Sequence, residues 1–180
     1  MNKWNLALLG VVGVNLAAIT VVAYGGLRYN TTESLPVGFY WVDEDKTPSV
    51  GSIVLLCPDN RAAFSMALER GYISRGACPH GYGQMFKRIL AAKNDVLTID
   101  ASGVFINSKR VKSSAPVEQD MMNAPLPQFR PLNYKLQEGE FFVMSSYHPL
   151  SFDSRYFGLV YSAQIKGVAQ KAFGEPHESN

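Results

Sequence analysis

A mainly β domain behind one apolar amino-terminal helix is the fold class this sequence predicts, and three observations carry that prediction. Trp4 to Ala23 is a largely apolar run with no ionisable side chain. Short β-branched and aromatic runs, separated by Gly, Pro, Asn and Asp, recur from Phe39 to Phe173. Only Arg61 to Arg70 has helical character outside the apolar run. With 180 residues, 47% apolar and 18% charged, the chain has room for one modest globular domain and lacks the composition of a disordered one.

The apolar run comes first. Its 20 residues, at about 1.5 Å each in a helix, match the roughly 30 Å core of a bilayer, so residues 1–28 are expected to form a membrane anchor. Lys3 and the amino terminus precede the run and Arg28 follows it. That small bias places the amino terminus in the cytoplasm and the body outside. A cleaved signal peptide ending at Ala23-Tyr24-Gly25 is the alternative, although its apolar run would be shorter.

A polar link, Arg28 to Glu33, leads to Leu35-Pro36-Val37-Gly38, with Pro and Gly placed as in a turn. Strands are expected at Phe39–Val42 and Ile53–Leu56. Asn60 as cap and Gly71 as stop frame a short helix that reads as an insertion. Met85–Ala91, Val96–Ile99, Val104–Ile106 and Lys109–Val111, joined by polar turns, predict an antiparallel meander. Ser113 to Pro131 holds Pro116, Pro125, Pro127 and Pro131, which exclude a central strand and mark a long surface loop. Strands resume at Phe141–Met144, Leu159–Ser162 and Gln164–Phe173. The body thus covers residues 29–173, and residues 174–180 form a polar tail.

Cys57 and Cys78 fit one disulfide in an exported body, with a pair of buried free thiols as the alternative. A zinc site lacks ligands, since only His80 lies near either cysteine. The net charge of +2, without a basic cluster, speaks against a nucleic-acid partner. His80, His148 and His177 receive no role.

Lys87 is the anomaly. Strand alternation puts it on one face with Met85, Ile89 and Ala91. An amine desolvated there loses stability as the ammonium ion and becomes a base near neutral pH. Otherwise its stem snorkels to the sheet edge. Ser34 sits just before the proline-glycine turn, held rigidly as a nucleophile would be, yet serine is also a common turn residue. Ser151-Phe152-Asp153-Ser154-Arg155 gathers hydroxyls, a carboxylate and a guanidinium, and reads equally as a salt-bridged turn.

Four blocks in order resemble the signal peptidase superfamily, and within it the plasmid conjugative-transfer signal peptidases of the TraF type. They are Thr32-Glu33-Ser34-Leu35-Pro36-Val37-Gly38-Phe39-Tyr40 after the anchor, Phe86-Lys87-Arg88-Ile89 leading to Asn94-Asp95-Val96, Gly103-Val104-Phe105-Ile106-Asn107, and Phe142-Val143-Met144 leading to Ser151–Gly158. The resemblance covers nearly everything after Arg28. It implies a signal-peptidase-like antiparallel β-domain in which Ser34 is the nucleophile and Lys87 its general base. Thr32 matches a hydroxyl that helps the Ser34 amide hold an oxyanion. Ser151 matches a serine bonded to the lysine amine, while Asp153, with Arg155, orients the dyad. No cofactor and no metal are implied.

Departures from the general secretory enzyme point to the conjugative branch. Ser145-Ser146-Tyr147-His148-Pro149-Leu150 replaces its Gly-Asp-Asn-Arg run, Leu35-Pro36 follows the nucleophile instead of methionine, and the segment carrying Cys57 and Cys78 is extra. The expected substrate is therefore a pilin or other exported precursor, cut on the periplasmic side of a bacterial inner membrane and in some relatives cyclised. The rival functions are general secretory processing and a non-catalytic envelope scaffold.

Overall fold

Two antiparallel sheets carry the body of the chain. The computed structural model describes residues 2–145, 147, 148 and 150–173, with backbone alone at 16–19 and 21–24. The expected tail, 174–180, lies outside the described residues. In chain order the elements are α1 (Lys3–Tyr24), β1 (Leu27–Asn30), β2 (Gly38–Asp43), β3 (Ile53–Leu56), α2 (Ala62–Glu69), β4 (Met85–Ala91), β5 (Val96–Asp100), β6 (Gly103–Ile106), β7 (Lys109–Arg110), β8 (Tyr134–Lys135), β9 (Glu140–Met144), α3 (Ser154–Phe157), β10 (Val160–Tyr161) and β11 (Ile165–Lys171). The larger sheet runs β1-β2-β11-β3-β4-β9-β10 and the smaller β7-β6-β5-β8.

The apolar run does form a helix, α1. Its described apolar side chains, among them Trp4, Leu6, Leu8, Val11 and Val14, are exposed, and at 100° per residue they occupy every side of the helix. The prediction of a spanning anchor is nevertheless not met by the structure: among the described residues no helix is long and apolar enough to cross a membrane. Within α1 the polar residues Asn5, Asn15 and Thr20 interrupt the apolar sequence.

The expected polar link after the anchor is a strand instead. β1 lies along the edge of β2, with Leu27 opposite Trp41 and Asn30 opposite Gly38. Gly26 starts this pairing by accepting the Val42 N–H at 2.9 Å. A Cβ at Gly26 would lie 2.4 Å from the Val42 carbonyl oxygen, and its φ of 72° favours glycine as well.

The meander is shorter than its sequence suggests. Of its four strands, only β5, β6 and β7 are joined to one another as antiparallel neighbours. β4 instead runs between β3 and β9 in the larger sheet. Five of its seven residues are buried, so it needs cover on both faces and partners on both edges. Local periodicity identifies such a strand but not its neighbours.

α2 presses Phe64 and Ala67 into a core with Val54, Ile89 and Val143 from the sheet and Phe152, Tyr156 and Phe157 from the α3 region. Its cap residue is Arg61 rather than Asn60. Asp59 rather than Asn60 accepts the Arg61 amide, at 3.3 Å, and its guanidinium Nε at 2.7 Å. Gly71 ends the helix at φ 73°, as its sequence position predicts. Cys57 and Cys78 are joined by a disulfide with Cα atoms 5.5 Å apart. It closes the helical insertion onto the end of β3, worth about 3 kcal/mol on the chain-entropy account. A smaller cluster, Leu35, Tyr40, Leu55, Phe86 and Ala169, lies under the loop between β1 and β2.

Candidate active site

That loop carries Ser34, and it is fixed from both ends. Asn30, the last residue of β1, is buried, and its Nδ2 donates to the carbonyls of Thr32 at 2.9 Å and Leu35 at 3.1 Å. Its Oδ1 accepts the Thr32 amide at 3.1 Å. Leu35 is buried beside Tyr40 and Phe86, and the Tyr40 hydroxyl donates to the Pro36 carbonyl at 2.8 Å. Ser34 is thus the half-buried crest of a loop whose flanks are bonded and plugged.

Lys87 reaches this crest from β4. It is only 3% exposed. Its Nζ donates to Ser34 Oγ at 2.8 Å and to Ser151 Oγ at 2.9 Å, and Ser151 Oγ in turn lies 3.3 Å from Ser34 Oγ. The last β4–β9 pair is Arg88 with Met144. The chain therefore leaves the sheet beside Lys87, and Ser145 and Ser151 enter from that departing segment. Burial lowers the lysine pKa from 10.5 to about 8; nearby Asp153 pulls it up and Arg155 pushes it down, each less than burial does.

Asp153 and Arg155 brace the cluster without touching Lys87 Nζ or Ser34 Oγ. Both are fully buried. The Arg155 guanidinium donates to both Asp153 carboxylate oxygens, at 2.8 and 2.9 Å, and to the Ser151 carbonyl at 3.2 Å. Asp153 also caps α3 through the Arg155 amide and accepts the Ser145 amide at 3.3 Å. The Ser145 hydroxyl donates to the Ser34 carbonyl. One ion pair therefore holds both Ser151, which bonds the amine, and Ser145, which bonds the serine loop.

Ser34, Lys87 and Ser151 are in direct contact, and Asp153 and Arg155 stand one residue behind them. Thr32 lies in the same loop, but its hydroxyl donates to Asn30 Oδ1 at 2.9 Å, so its single proton is committed there. Cys57 and Cys78 belong to the core near α2, away from the dyad. Asn30 and Ser145 were not singled out by sequence. For Asn30 a signal existed, since an Asn bonding the backbone two residues on is a familiar turn device. Ser145 had none, because its partner lies 111 residues away.

Two concavities meet at Ser34. One of about 160 Å³ lies between the Asn30–Thr32 segment and β4, with Lys87 in its wall. The other, about 770 Å³, opens between α2 and the 113–131 loop. Tyr72 and Phe152, with rings 5.6 Å apart, line both. Chemically, a hydroxyl 2.8 Å from a desolvated amine is the arrangement in which the amine can take the hydroxyl proton as that oxygen attacks. Among the described residues no group of three or more His, Cys, Asp or Glu side chains is placed to hold a metal ion.

Comparison with known proteins places the chain in a family. Residues 1–173 match the family described as signal peptidase, peptidase S26. A plasmid transfer protein TraF from Escherichia coli is 43% identical over 162 residues, covering 88% of this chain and 90% of that one. A second from the same species is 41% identical, covering 89% of each. A conjugal transfer protein TraF from Agrobacterium fabrum is 32% identical over 92% of this chain and 93% of its own. Among solved structures, a signal peptidase I from Enterococcus faecalis V583 is similar with a TM-score of 0.40 at 20% identity, over 68% of this chain and 97% of that one. With residues 1–173 matched to the family and relatives above 40% identity over most of its length, the chain belongs to the signal peptidase family, peptidase S26.

Proposed function

We propose that the protein is a serine endopeptidase with a Ser34–Lys87 dyad that processes an exported precursor, a pilin, of a conjugative transfer system. The observation that carries this reading is the 2.8 Å contact between Ser34 Oγ and a fully desolvated Lys87 Nζ. The conjugative setting is supported by the names of the relatives.

With a pKa of about 8, roughly one amine in ten is neutral at pH 7. That neutral amine takes the Ser34 proton as Oγ attacks the scissile carbonyl carbon. The Ser34 amide stabilises the oxyanion, and the Thr32 hydroxyl joins it only by leaving Asn30. Lys87, now an ammonium ion, passes its proton to the departing amine, leaving the acyl group on Ser34. The neutral lysine then activates water, or the substrate's own amino terminus, to release a linear or a cyclic product. Ser151 accepts one lysine proton throughout and keeps the amine pointed at Ser34.

We further propose that α1 anchors the enzyme in the inner membrane, with the β-domain on the periplasmic side. This rests on the Trp4–Ala23 sequence and on apolar side chains exposed on every side of α1. The disulfide is consistent with an oxidising compartment.

The test is processing of the co-expressed pilin precursor, read by mass spectrometry, in membranes carrying the intact enzyme, Ser34→Ala or Lys87→Met. Loss of processing in both variants, with normal folding and membrane delivery, supports the dyad, and product mass tells a linear chain from a cyclic one. Continued cutting by both removes the peptidase reading and favours a scaffold. Cutting of an ordinary secretory precursor with equal efficiency would instead favour general secretory processing.

A further inference from the structure

A peptide whose scissile carbonyl rests on Ser34 must continue in both directions from it, at about 3.3 Å per extended residue. The small concavity beside Asn30 and Lys87 has room for one compact group on one side. The other direction has a much larger space, the 770 Å³ groove that also begins at Ser34 and Ser151, within the range of sites that enclose a sizeable ligand.

This groove is built before anything enters it. Tyr72, just after α2, donates its hydroxyl to Asp120 in the proline-containing loop. Arg70 adds a bond to the Pro125 carbonyl at 2.9 Å and an ion pair with Asp120 at 3.5 Å. Asp120 in turn accepts the amides of Met122 at 2.8 Å and Ala124 at 2.9 Å, which fixes the loop tip. Held on that tip, Met121 and Met122 stand 86% and 88% exposed. Between the tip and the dyad the lining includes Leu126, Leu150 and Phe152. Flexible, polarisable thioethers left bare on a rigid turn fit surfaces that must close on apolar partners of varied shape.

We infer that this groove binds an apolar segment of the precursor adjoining the scissile bond, and that Met121 and Met122 are specificity residues closing over it. The inference rests on the peptidase reading, since continuity of the groove with Ser34 is what identifies its occupant. The methionines act on capture of the precursor and not on bond chemistry.

The experiment uses the full chain in membranes with its co-expressed pilin precursor. Met121→Ser combined with Met122→Ser slows processing about tenfold or more at low precursor levels, and the deficit shrinks as precursor rises. Met121→Leu with Met122→Leu restores most of the rate, because apolar area carries most of the contact. In a Ser34→Ala background, Met122→p-benzoylphenylalanine crosslinks to the precursor within a few residues of the cut. Wild-type processing by the serine pair, or a crosslink mapping far from the cut, overturns the inference while leaving the dyad standing. Processing that survives Ser34→Ala overturns the peptidase reading itself.

Discussion

Two buried cations lie close together in this protein, and they are treated in opposite ways. Arg155 is fully buried and held by two charge-assisted bonds to Asp153. Lys87 is as deeply buried, yet its described partners are two hydroxyls. An arginine with its own carboxylate keeps its charge and serves as a strut. A lysine with only neutral partners pays for its ammonium form, and the cost surfaces as a pKa of about 8. Burial itself does not mark a reactive group; burial without a counter-charge in direct contact does.

The contrast breaks most sharply if the two cations are removed in turn. Lys87→Met or Ser34→Ala is expected to lower processing by about 10⁴-fold or more, measured as precursor turnover in membranes. In the intact enzyme the rate should rise with pH up to about 8 and then level, nearly tenfold between pH 6 and 7, as the neutral amine becomes available. A profile already flat at pH 6 would remove Lys87 as the base.

Arg155→Met, by contrast, should act first on stability. It leaves the Asp153 carboxylate buried without its partner, at a cost of about 3–5 kcal/mol, to be read from denaturant unfolding. The double change Asp153→Leu with Arg155→Met should recover part of that loss while Ser151 and Ser145 lose their brace, so the rate falls even where the fold survives.

Lys87→Met should do the reverse and stabilise the fold. The native pKa lies below the unfolded value near 10.5, so between about pH 8 and 10.5 the unfolded chain binds the extra proton and stability rises with pH. Below pH 8 the intact protein carries the whole penalty, on the order of 3 kcal/mol, less what the two hydroxyl contacts return. Removing the amine lifts that penalty at pH 7 and flattens the pH 8–10.5 slope. A variant less stable than the parent at pH 7 would show that the hydroxyl contacts outweigh desolvation.

The smallest effect is expected at Asn30. Asn30→Ser keeps a turn-forming side chain but cannot bridge both Thr32 and Leu35. We expect about 1–2 kcal/mol of lost stability and a fall in kcat with KM little changed, since the loop that carries Ser34 loosens. An unchanged kcat would show that the Leu35 plug alone positions the serine.

Much of this was legible in the sequence, and the reasons are local. Ile53–Leu56 declares itself as a strand through an unbroken apolar run and Met85–Ala91 through its alternation, from which the Lys87 anomaly also follows. The Ser34–Lys87 pairing did not follow from pattern, because 53 residues separate them; only the resemblance of four ordered blocks joined them. β1 was missed because its burial inverts its polarity: Asn30 is buried while Tyr29 is exposed, so hydropathy gives no strand signal there. α3 is four residues long, too short for helical periodicity to register. The partners of β4 and the bridge from Asp153 through Ser145 to Ser34 are set by tertiary structure, where a single sequence is silent.

The join between α1 and β1 has a consequence for which bonds can be cut. Only Gly25 and Gly26 separate them, and Gly26 is already bonded to β2. From there β1 runs directly to the loop of Ser34. Two residues and a four-residue strand, at about 3.3 Å each, make a stalk of roughly 20 Å. If α1 lies in the bilayer as proposed, that stalk holds the serine at a set height above the lipid surface instead of letting it swing on a tether. Under the proposed anchoring and peptidase activity, this stalk would act as a depth gauge, so that distance from the lipid surface screens substrates before any side chain is read.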